Sequence, residues 1–342
     1  MHFNNIPIDW NAIHGIIDEA DTIMLTTHEN PDGDGLGSES GLYYHLIEKG
    51  KDVRIINYSS LPSEYEYLNS DSIFESYDES IHDAWLKNVD LVIIFDVGDY
   101  VRIRTLVSAI DKYGLQTMNI DHHPHVKDDI FTHNLVDLSA AATGCMVYDY
   151  LKVARNNEPI VKNSLEGIYT AVMTDTGCFK YSNTDNKCHE IAIECLDAGI
   201  ETHTIYQRIY ENSTRSRIKL MGEFLSDLRY ELDGSLAWFI ISKDMMKKAN
   251  ATKSDVEGFS DMVRTISGVE VALMIFEQGK SNCRINLRSK GKYIVNDIAR
   301  RLGGGGHAYA AGALIEGNLG DATQQIVNTA KKSIQIQMNG DI

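Results

Sequence analysis

The chain reads as an α/β protein, a doubly wound parallel sheet in its N-terminal half followed by a smaller C-terminal α/β domain. Three observations predict this. Apolar runs alternate with helix-patterned stretches through residues 9–155, as strands covered on both faces do. Three of those runs end in acidic residues or histidines, and open parallel sheets bind ligands outside the carboxyl ends of their strands. The chain has 342 residues, too many for one ordinary core, so two domains are expected.

Residues 9–21 pattern as an amphipathic helix, and Thr22 to Thr27 as a short buried strand. The stretch His28-Glu29-Asn30-Pro31-Asp32-Gly33-Asp34-Gly35-Leu36-Gly37-Ser38 follows. Pro31, Gly33 and Gly35 impose a tight turn, and the glycines let backbone approach a ligand closely. Ser38 is the expected N-cap of a helix running to Lys49. Asp52 to Tyr58 is a second strand, and residues 60–88 are polar helix and loop. Val89 to Val97 is a continuous apolar run that contains Asp96 near its end. A helix near 102–112 leads to the strand Gln116–Ile120, which ends in Asp121-His122-His123-Pro124.

Residues 139–155 are a small-residue turn and helix, packed close against either the sheet or a phosphate. The helix from Leu165 to Thr174 stops at Asp175-Thr176-Gly177, with Gly177 as a C′ residue. An irregular segment over 179–184 precedes a helical stretch from Asn186 to about Lys219. The C-terminal part has strands near 227–241 and 269–276 with a helix between them, then Cys283 to Leu287, on a smaller sheet. A helix from Ile294 to Arg301 ends in Leu302-Gly303-Gly304-Gly305-Gly306-His307. The resulting division is a catalytic domain over 1–188, a helical connector over 189–222 and a substrate-binding domain over 223–342.

Composition narrows the function. The hydrophobic share of 43% supports packed interiors, and the net charge of −17 repels a long polyanion. No apolar run reaches membrane-spanning length and Met1 to Trp10 lacks a signal-peptide pattern, so a cytoplasmic protein without membrane partners is expected. Cys145, Cys178, Cys188, Cys195 and Cys283 form no C-x-x-C pair, which indicates neither a disulfide framework nor a zinc ribbon. One segment departs from the acidic balance: Arg284, Arg288, Lys290, Lys292, Arg300 and Arg301 stand against Asp297 alone. Phosphate contact is therefore expected to be local and the ligand small.

His28, Asp32, Asp34, Asp96, His122 and Asp175 form one candidate set. Four carboxylates in one pocket repel strongly when bare, and two divalent cations would neutralise them. Hard oxygen donors with imidazole and no thiolate suit Mn²⁺ or Mg²⁺. Asp96 is the natural bridge between two ions about 3.5–4 Å apart, which would lower the pKa of a shared water toward neutral. No Ser or Cys nucleophile is then required. In the second constellation, the glycine run offers unshielded N–H groups for an anion, His307 adds a further donor and Arg288 a bidentate grip.

These motifs resemble those of the DHH phosphoesterase superfamily: His28-Glu29-Asn30-Pro31-Asp32-Gly33-Asp34, then Asp96, Asp121-His122-His123 and Asp175. Leu287-Arg288-Ser289 and Gly303 to His307 with Ala310-Ala311-Gly312 resemble the accompanying DHHA1 domain. The closest subgroup is that of short stand-alone nanoRNases and pAp phosphatases. The resemblance implies two Mn²⁺ ions, with Mg²⁺ or Co²⁺ as alternatives. His28, Asp32 and Asp96 would hold one ion, and Asp34, Asp96, His122 and Asp175 the other. His123 would act on the substrate side and Asp121 would orient a neighbouring histidine, so that Asp96, Asp121 and His123 are the expected catalytic residues. Arg288, Gly304, Gly305, Gly306 and His307 would bind the substrate's distal phosphate or terminal nucleotide across an interdomain cleft.

The implied activity is hydrolysis of short RNA or DNA oligonucleotides, nanoRNA above all, to 5′-mononucleotides, and of pAp to AMP, by hydroxide generated at the two metals. Linear or cyclic dinucleotides (pApA, c-di-AMP) and polyphosphate are the rival substrates, and Tyr309 is a candidate base-stacking residue that would favour nucleotides. A non-catalytic nucleotide-binding regulator would need a broken ligand set, and every ligand type is present. Pairing of two copies through an exposed strand edge stays open.

Overall fold

In the computed structural model, residues 8–124, 130–279 and 281–340 are described, so the first seven residues, part of the start read for a signal peptide, lie outside the described residues. The chain divides into two compact units, Met1–Asn212 and Ser213–Ile342.

The first unit holds strands β1 (Thr22–Thr27), β2 (Asp52–Asn57), β3 (Phe74–Ser76), β4 (Leu91–Phe95), β5 (Gln116–Asp121) and β6 (His133–Val136). Its helices are α1 (Trp10–Glu19), α2 (Gly33–Glu48), α3 (Glu79–Leu86), α4 (Thr105–Tyr113), α5 (Thr143–Ala154), α6 (Lys162–Asp175), α7 (Asn186–Asp197) and α8 (Thr202–Tyr210). Among the described residues all strands pair in parallel, in the order β3-β2-β1-β4-β5-β6. Side chains alternate across the pleat. Ile23, Leu25, Ile93 and Phe95 pack on one face with residues of α1, α2, α5 and α6, while Met24, Val92 and Ile94 pack on the other with residues of α3 and α4. That double burial is why β4 is apolar throughout. Strand order reverses between β1 and β4, which opens a crevice at their carboxyl ends.

The second unit holds β7 (Arg229–Glu231), β8 (Leu236–Ile241), β9 (Val271–Gln278), β10 (Asn282–Ser289), β11 (Gly305–His307) and β12 (Ala310–Glu316), in the order β11-β12-β10-β9-β8-β7. Among the described strands of this second sheet, only β8 and β9 pair in parallel. Helices α12 (Asn296–Arg301) and α13 (Leu319–Met338) cover one face, and α9 (Arg215–Leu225), α10 (Lys243–Ala249) and α11 (Phe259–Arg264) cover the other.

Several local expectations are corrected. The helix expected from Ser38 begins at Gly33, and its N-cap is Asp32, whose Oδ1 accepts the N–H groups of Asp34 and Gly35. Ser38 lies buried inside the helix. The glycines of this turn face protein, not ligand: a Cβ at Gly33 would sit 2.5 Å from the Thr174 side chain, at Gly35 2.3 Å from Thr27 Oγ1, and at Gly37 2.3 Å from the Gly167 carbonyl. They let α2 press against β1 and α6. The polar stretch 60–88 contains the short strand β3, and β6 adds another beyond β5. The second sheet matches the first in strand number among the described residues, so it is not the smaller sheet expected. Of the stretch read as a connector, α7 and α8 belong to the first unit and α9 to the second. Among the described residues, no helix is long and apolar enough to cross a membrane.

Candidate metal centre

Every side chain of the first constellation sits at the carboxyl edge of the parallel sheet. His28 follows β1 and is buried, and its Nδ1 lies 2.8 Å from the Glu29 carbonyl, which fixes the tautomer with Nε2 turned inward. Nε2 is 3.8 Å from Asp32 Oδ2 and 3.6 Å from Asp96 Oδ2. Asp32 thus uses one oxygen to cap α2 and turns the other to the site.

Asp34, in the first turn of α2, is buried and accepts the N–H groups of Thr143 at 2.7 Å and Gly144 at 2.9 Å. These are the first amides of α5, so the anion at that helix N-terminus is Asp34 itself. Gly144, in the first turn of α5, lets that helix press against α6: a Cβ there would lie 2.4 Å from the Ala171 side chain.

Asp96 follows β4 with φ +56°, a left-handed conformation that is uncommon for a residue with a Cβ and that turns the chain sharply at the site. Its Oδ1 is 3.6 Å from His122 Nε2, 3.1 Å from His123 Nδ1 and 3.3 Å from Thr143 Oγ1. Its Oδ2 faces His28 instead. The two oxygens of one carboxylate therefore face three histidines from the ends of two strands, His28 after β1 and His122 and His123 after β5.

Asp121 ends β5 and is fully buried. It accepts the Gly98 N–H at 2.6 Å and the His123 N–H at 2.9 Å, and its Oδ1 also lies 2.9 Å from His123 Nδ1. The next residue, His122, turns Nδ1 to the Ala140 carbonyl at 3.1 Å. Its buried Nε2 has no hydrogen-bond partner and points among Asp34, Asp96 and Asp175, at 3.5, 3.6 and 3.7 Å. Asp175 ends α6, where Asn183 Nδ2 reaches its carbonyl at 3.2 Å.

The electrostatics are those of a crowded anionic pocket. Burial, then the charges of Asp96, Asp175 and Asp32, push the Asp34 carboxyl well above its ordinary range. Burial also raises Asp175, to about 6. For His28, burial opposes a charge, but hydrogen bonds to Asp32 and Asp96 outweigh it and push the ring up to about 9. Burial likewise opposes charge on His123, and Asp121 and Asp96 overcome it, up to about 11.

This donor set fits divalent cations. Three groups of ligand atoms lie within 4.8 Å of one another: His28, Asp32 and Asp96; Asp34, His122 and Asp175; and Asp96, His122 and His123. The partnerless Nε2 of His122 is the clearest sign, since a buried imidazole nitrogen among three carboxylates is costly unless a proton or a cation sits there. In the third group, His123 is engaged at Nδ1 by Asp121 and is more exposed than His122.

Glu39 is a further buried group that sequence reasoning passed over. Its Oε2 accepts from Asn57 Nδ2 at 3.0 Å, while Asn57 Oδ1 accepts from Thr26 Oγ1 at 3.1 Å and the Thr27 N–H at 2.9 Å. The carboxyl is pushed up to about 8 by burial, so it is neutral at pH 7 and props the end of β1 just before His28. Nothing in the local sequence marks Glu39, because it looks like any polar residue on a helix.

The second constellation is tied up internally. Arg288 is the penultimate residue of β10, and its Nε donates to Asp261 Oδ2 at 3.1 Å. Gly303 and Gly304 give their N–H groups to the Arg300 and Ala299 carbonyls, closing the end of α12. Gly305, Gly306 and His307 form β11 and pair with Gly312, Ala311 and Ala310. A Cβ at Gly304 would lie 2.1 Å from the Gly312 carbonyl and one at Gly306 2.6 Å from that of Ala310, whereas Gly305 faces open space. The run is thus a tight hairpin rather than an open loop. Tyr309 and His307 are exposed at its tip.

The parallel sheet and the acid–histidine cluster at its carboxyl edge define a metal-dependent phosphoesterase fold. Residues 22–172 match the DHH family N-terminal domain, and residues 235–335 match the DHHA1 domain. The chain belongs to the DHH family, in the group of bifunctional oligoribonuclease and PAP phosphatase NrnA proteins. It is 30% identical to that protein of Bacillus subtilis over 86% of this chain and 90% of the relative. It is 28% identical to that of Thermus thermophilus over 91% and 90%. Among solved structures, an exopolyphosphatase-related protein from Bacteroides fragilis superposes with TM-score 0.88 at 26% identity, covering 96% of each chain.

Proposed function

We propose that this protein hydrolyses short oligoribonucleotides to 5′-mononucleotides and pAp to AMP, at a centre that holds two divalent cations, Mn²⁺ by preference. The observation that carries the reading is the split use of Asp96, one oxygen toward His28 and the other toward His122. His28, Asp32 and Asp96 are assigned to one ion, and Asp34, Asp96, His122 and Asp175 to the other. Bound there, the cations supply neutralising charge, a water of lowered pKa and a clamp for the phosphoryl oxygens.

The chain's own groups do the rest. The Glu29 and Ala140 carbonyls hold His28 and His122 with Nε2 inward. The Thr143 and Gly144 amides aim Asp34. Asp121 holds His123 through Nδ1, leaving Nε2 to donate to an oxygen of the scissile phosphate or to the departing oxygen. Arg288, Gly304, Gly305, Gly306 and His307 are assigned to the distal phosphate, with Arg288 exchanging Asp261 for it. A net charge of −17 favours short ligands over long ones. All five cysteines are unpaired, which suits a reducing compartment, and a cytoplasmic location is part of this reading.

A second reading, polyphosphate hydrolysis, takes support from the name of the Bacteroides structure. The test is product chromatography from 5′-phosphorylated di- to pentaribonucleotides, pAp, pApA, c-di-AMP and polyphosphate, with Mn²⁺ and with chelator. Metal-dependent release of mononucleotides and AMP is expected. Turnover of polyphosphate alone would overturn the nucleotide assignment, and undiminished turnover in chelator would overturn the metal assignment.

A further inference from the structure

We propose that Tyr181, flanked by Tyr206 and Tyr210, is the stacking surface for the nucleobase next to the bond that is cut. The inference rests on the oligonucleotide reading above and adds a base subsite within the first unit, beside Asp175.

The segment after α6 is bent for this purpose. Gly177, Cys178 and Phe179 take φ of +56°, +61° and +60°, three successive left-handed residues of which two carry a Cβ. The turn folds Tyr181 back so that its ring covers Gly177: a Cβ there would lie 2.4 to 2.6 Å from ring atoms of Tyr181. Only a glycine permits that contact. The segment is anchored to the metal centre by Asn183, whose Nδ2 donates to the carbonyls of Ala141 at 2.9 Å and of Asp175 at 3.2 Å. Tyr181 is therefore fixed relative to Asp175 rather than left on a loose loop.

The aromatic surface extends onto α8. Tyr206 and Tyr210 have ring centroids 5.2 Å apart at 41°. Burial, then the neighbouring Cys178, Tyr181 and Tyr206, push the Tyr210 hydroxyl above its ordinary range, as groups gathered in one patch do. Tyr181, Tyr206 and Tyr210 remain 51%, 40% and 42% exposed. Three half-exposed tyrosines in one patch, one seated on the backbone two residues after Asp175, match what a single-stranded nucleic acid needs: flat faces that accept any base, close to where its phosphate is held.

The test uses the full chain with Mn²⁺ and the variants Tyr181→Phe and Tyr181→Leu; leucine fills the space over Gly177 but does not stack. Turnover is measured on a 5′-phosphorylated diribonucleotide and on its analogue abasic at the position next to the scissile bond. In parallel, a phosphorothioate-linked diribonucleotide carrying 2-aminopurine reports stacking by quenching, without turnover. Tyr181→Leu is expected to raise KM for the diribonucleotide about 5- to 100-fold, in line with the loss of one stacked base, while kcat stays within about threefold. KM for the abasic analogue is expected to stay unchanged, and Tyr181→Phe to retain both KM and quenching. Unchanged KM and quenching in Tyr181→Leu, or an equal loss on the abasic analogue, would overturn the proposal while leaving the activity standing. If the native protein cuts no oligonucleotide, the activity reading fails by itself. Quenching that depends on Tyr181 would then still support the subsite, and absence of quenching would end it.

Discussion

The strand-end cluster of the first unit and the glycine hairpin of the second both drew notice as candidate sites, yet the structure treats them oppositely. At the cluster, polar groups are left unmet: His122 Nε2 is buried without a hydrogen-bond partner, and several carboxylates are crowded together. At the hairpin, Arg288 already faces Asp261, and the first N–H groups of the run close a helix. Unsatisfied polarity is costly, and a buried imidazole nitrogen ringed by carboxylates is the kind that a cation relieves. A satisfied network does not by itself ask for one. The cluster thus declares a cation on physical grounds, while the hairpin's ligand role has to be tested.

The sharpest way to break this contrast is to remove the shared carboxylate. Asp96→Ala is expected to lower kcat at least about 1,000-fold and to abolish Mn²⁺ binding by calorimetry; retained turnover would end the two-ion assignment. The metal-free fold should not suffer equally, because one of several repelling charges has gone. Asp34→Asn should likewise lose metal binding, and Mn²⁺ should raise the melting temperature of the native chain but not of this variant.

The pH dependence of the metal-free protein comes next. Asp175, Glu39 and His28 all bind protons more tightly folded than unfolded, since each pKa is raised. Each therefore makes stability fall as pH rises. The loss runs from 3.8 to about 6 for Asp175, from 4.5 to about 8 for Glu39 and from 6.5 to about 9 for His28. Thermal melts in chelator should show Tm dropping by several degrees between pH 5 and 9, and saturating Mn²⁺ should reduce the drop. Glu39→Gln should flatten the part between 4.5 and 8, because an amide cannot ionise.

The hairpin yields the smaller effects and a means of separating packing from binding. Gly304→Ala is expected to destabilise by about 2 kcal/mol or more in denaturant melts, because its Cβ meets the Gly312 carbonyl. Gly305→Ala meets nothing and should melt like the native chain. If it also raises KM several-fold for pAp, the run binds substrate; if KM is unchanged, the hairpin's glycines serve packing alone. Arg288→Ala should raise KM by roughly tenfold with little change in Tm, since Arg288 and its partner Asp261 are both partly exposed to water.

How much was legible in the sequence differs in the same two regions. β4 was readable because a parallel strand buried on both faces leaves an unbroken apolar run, and β1 and β5 because a short apolar stretch leads into the turn that carries site residues. β3 and β6 were not, because edge strands are short and only half buried. Ser38 looked like a cap by residue type, but Asp32 had the better claim once α2 was drawn back to Gly33 by its packing on β1 and α6.

The amino-acid sequence alone determined the chemistry of the first unit: which donors occur, that they recur at strand ends, and that their charge calls for cations. Those facts are local, since residue type and strand periodicity are written in neighbouring positions. Only the tertiary structure decided that Asp96 divides its oxygens between His28 and His122, that α5 presents its first amides to Asp34, and that Tyr181 lies on Gly177 beside Asp175. Such relations join residues tens of positions apart, or depend on a run of left-handed backbone, and no pattern in the linear chain carries them.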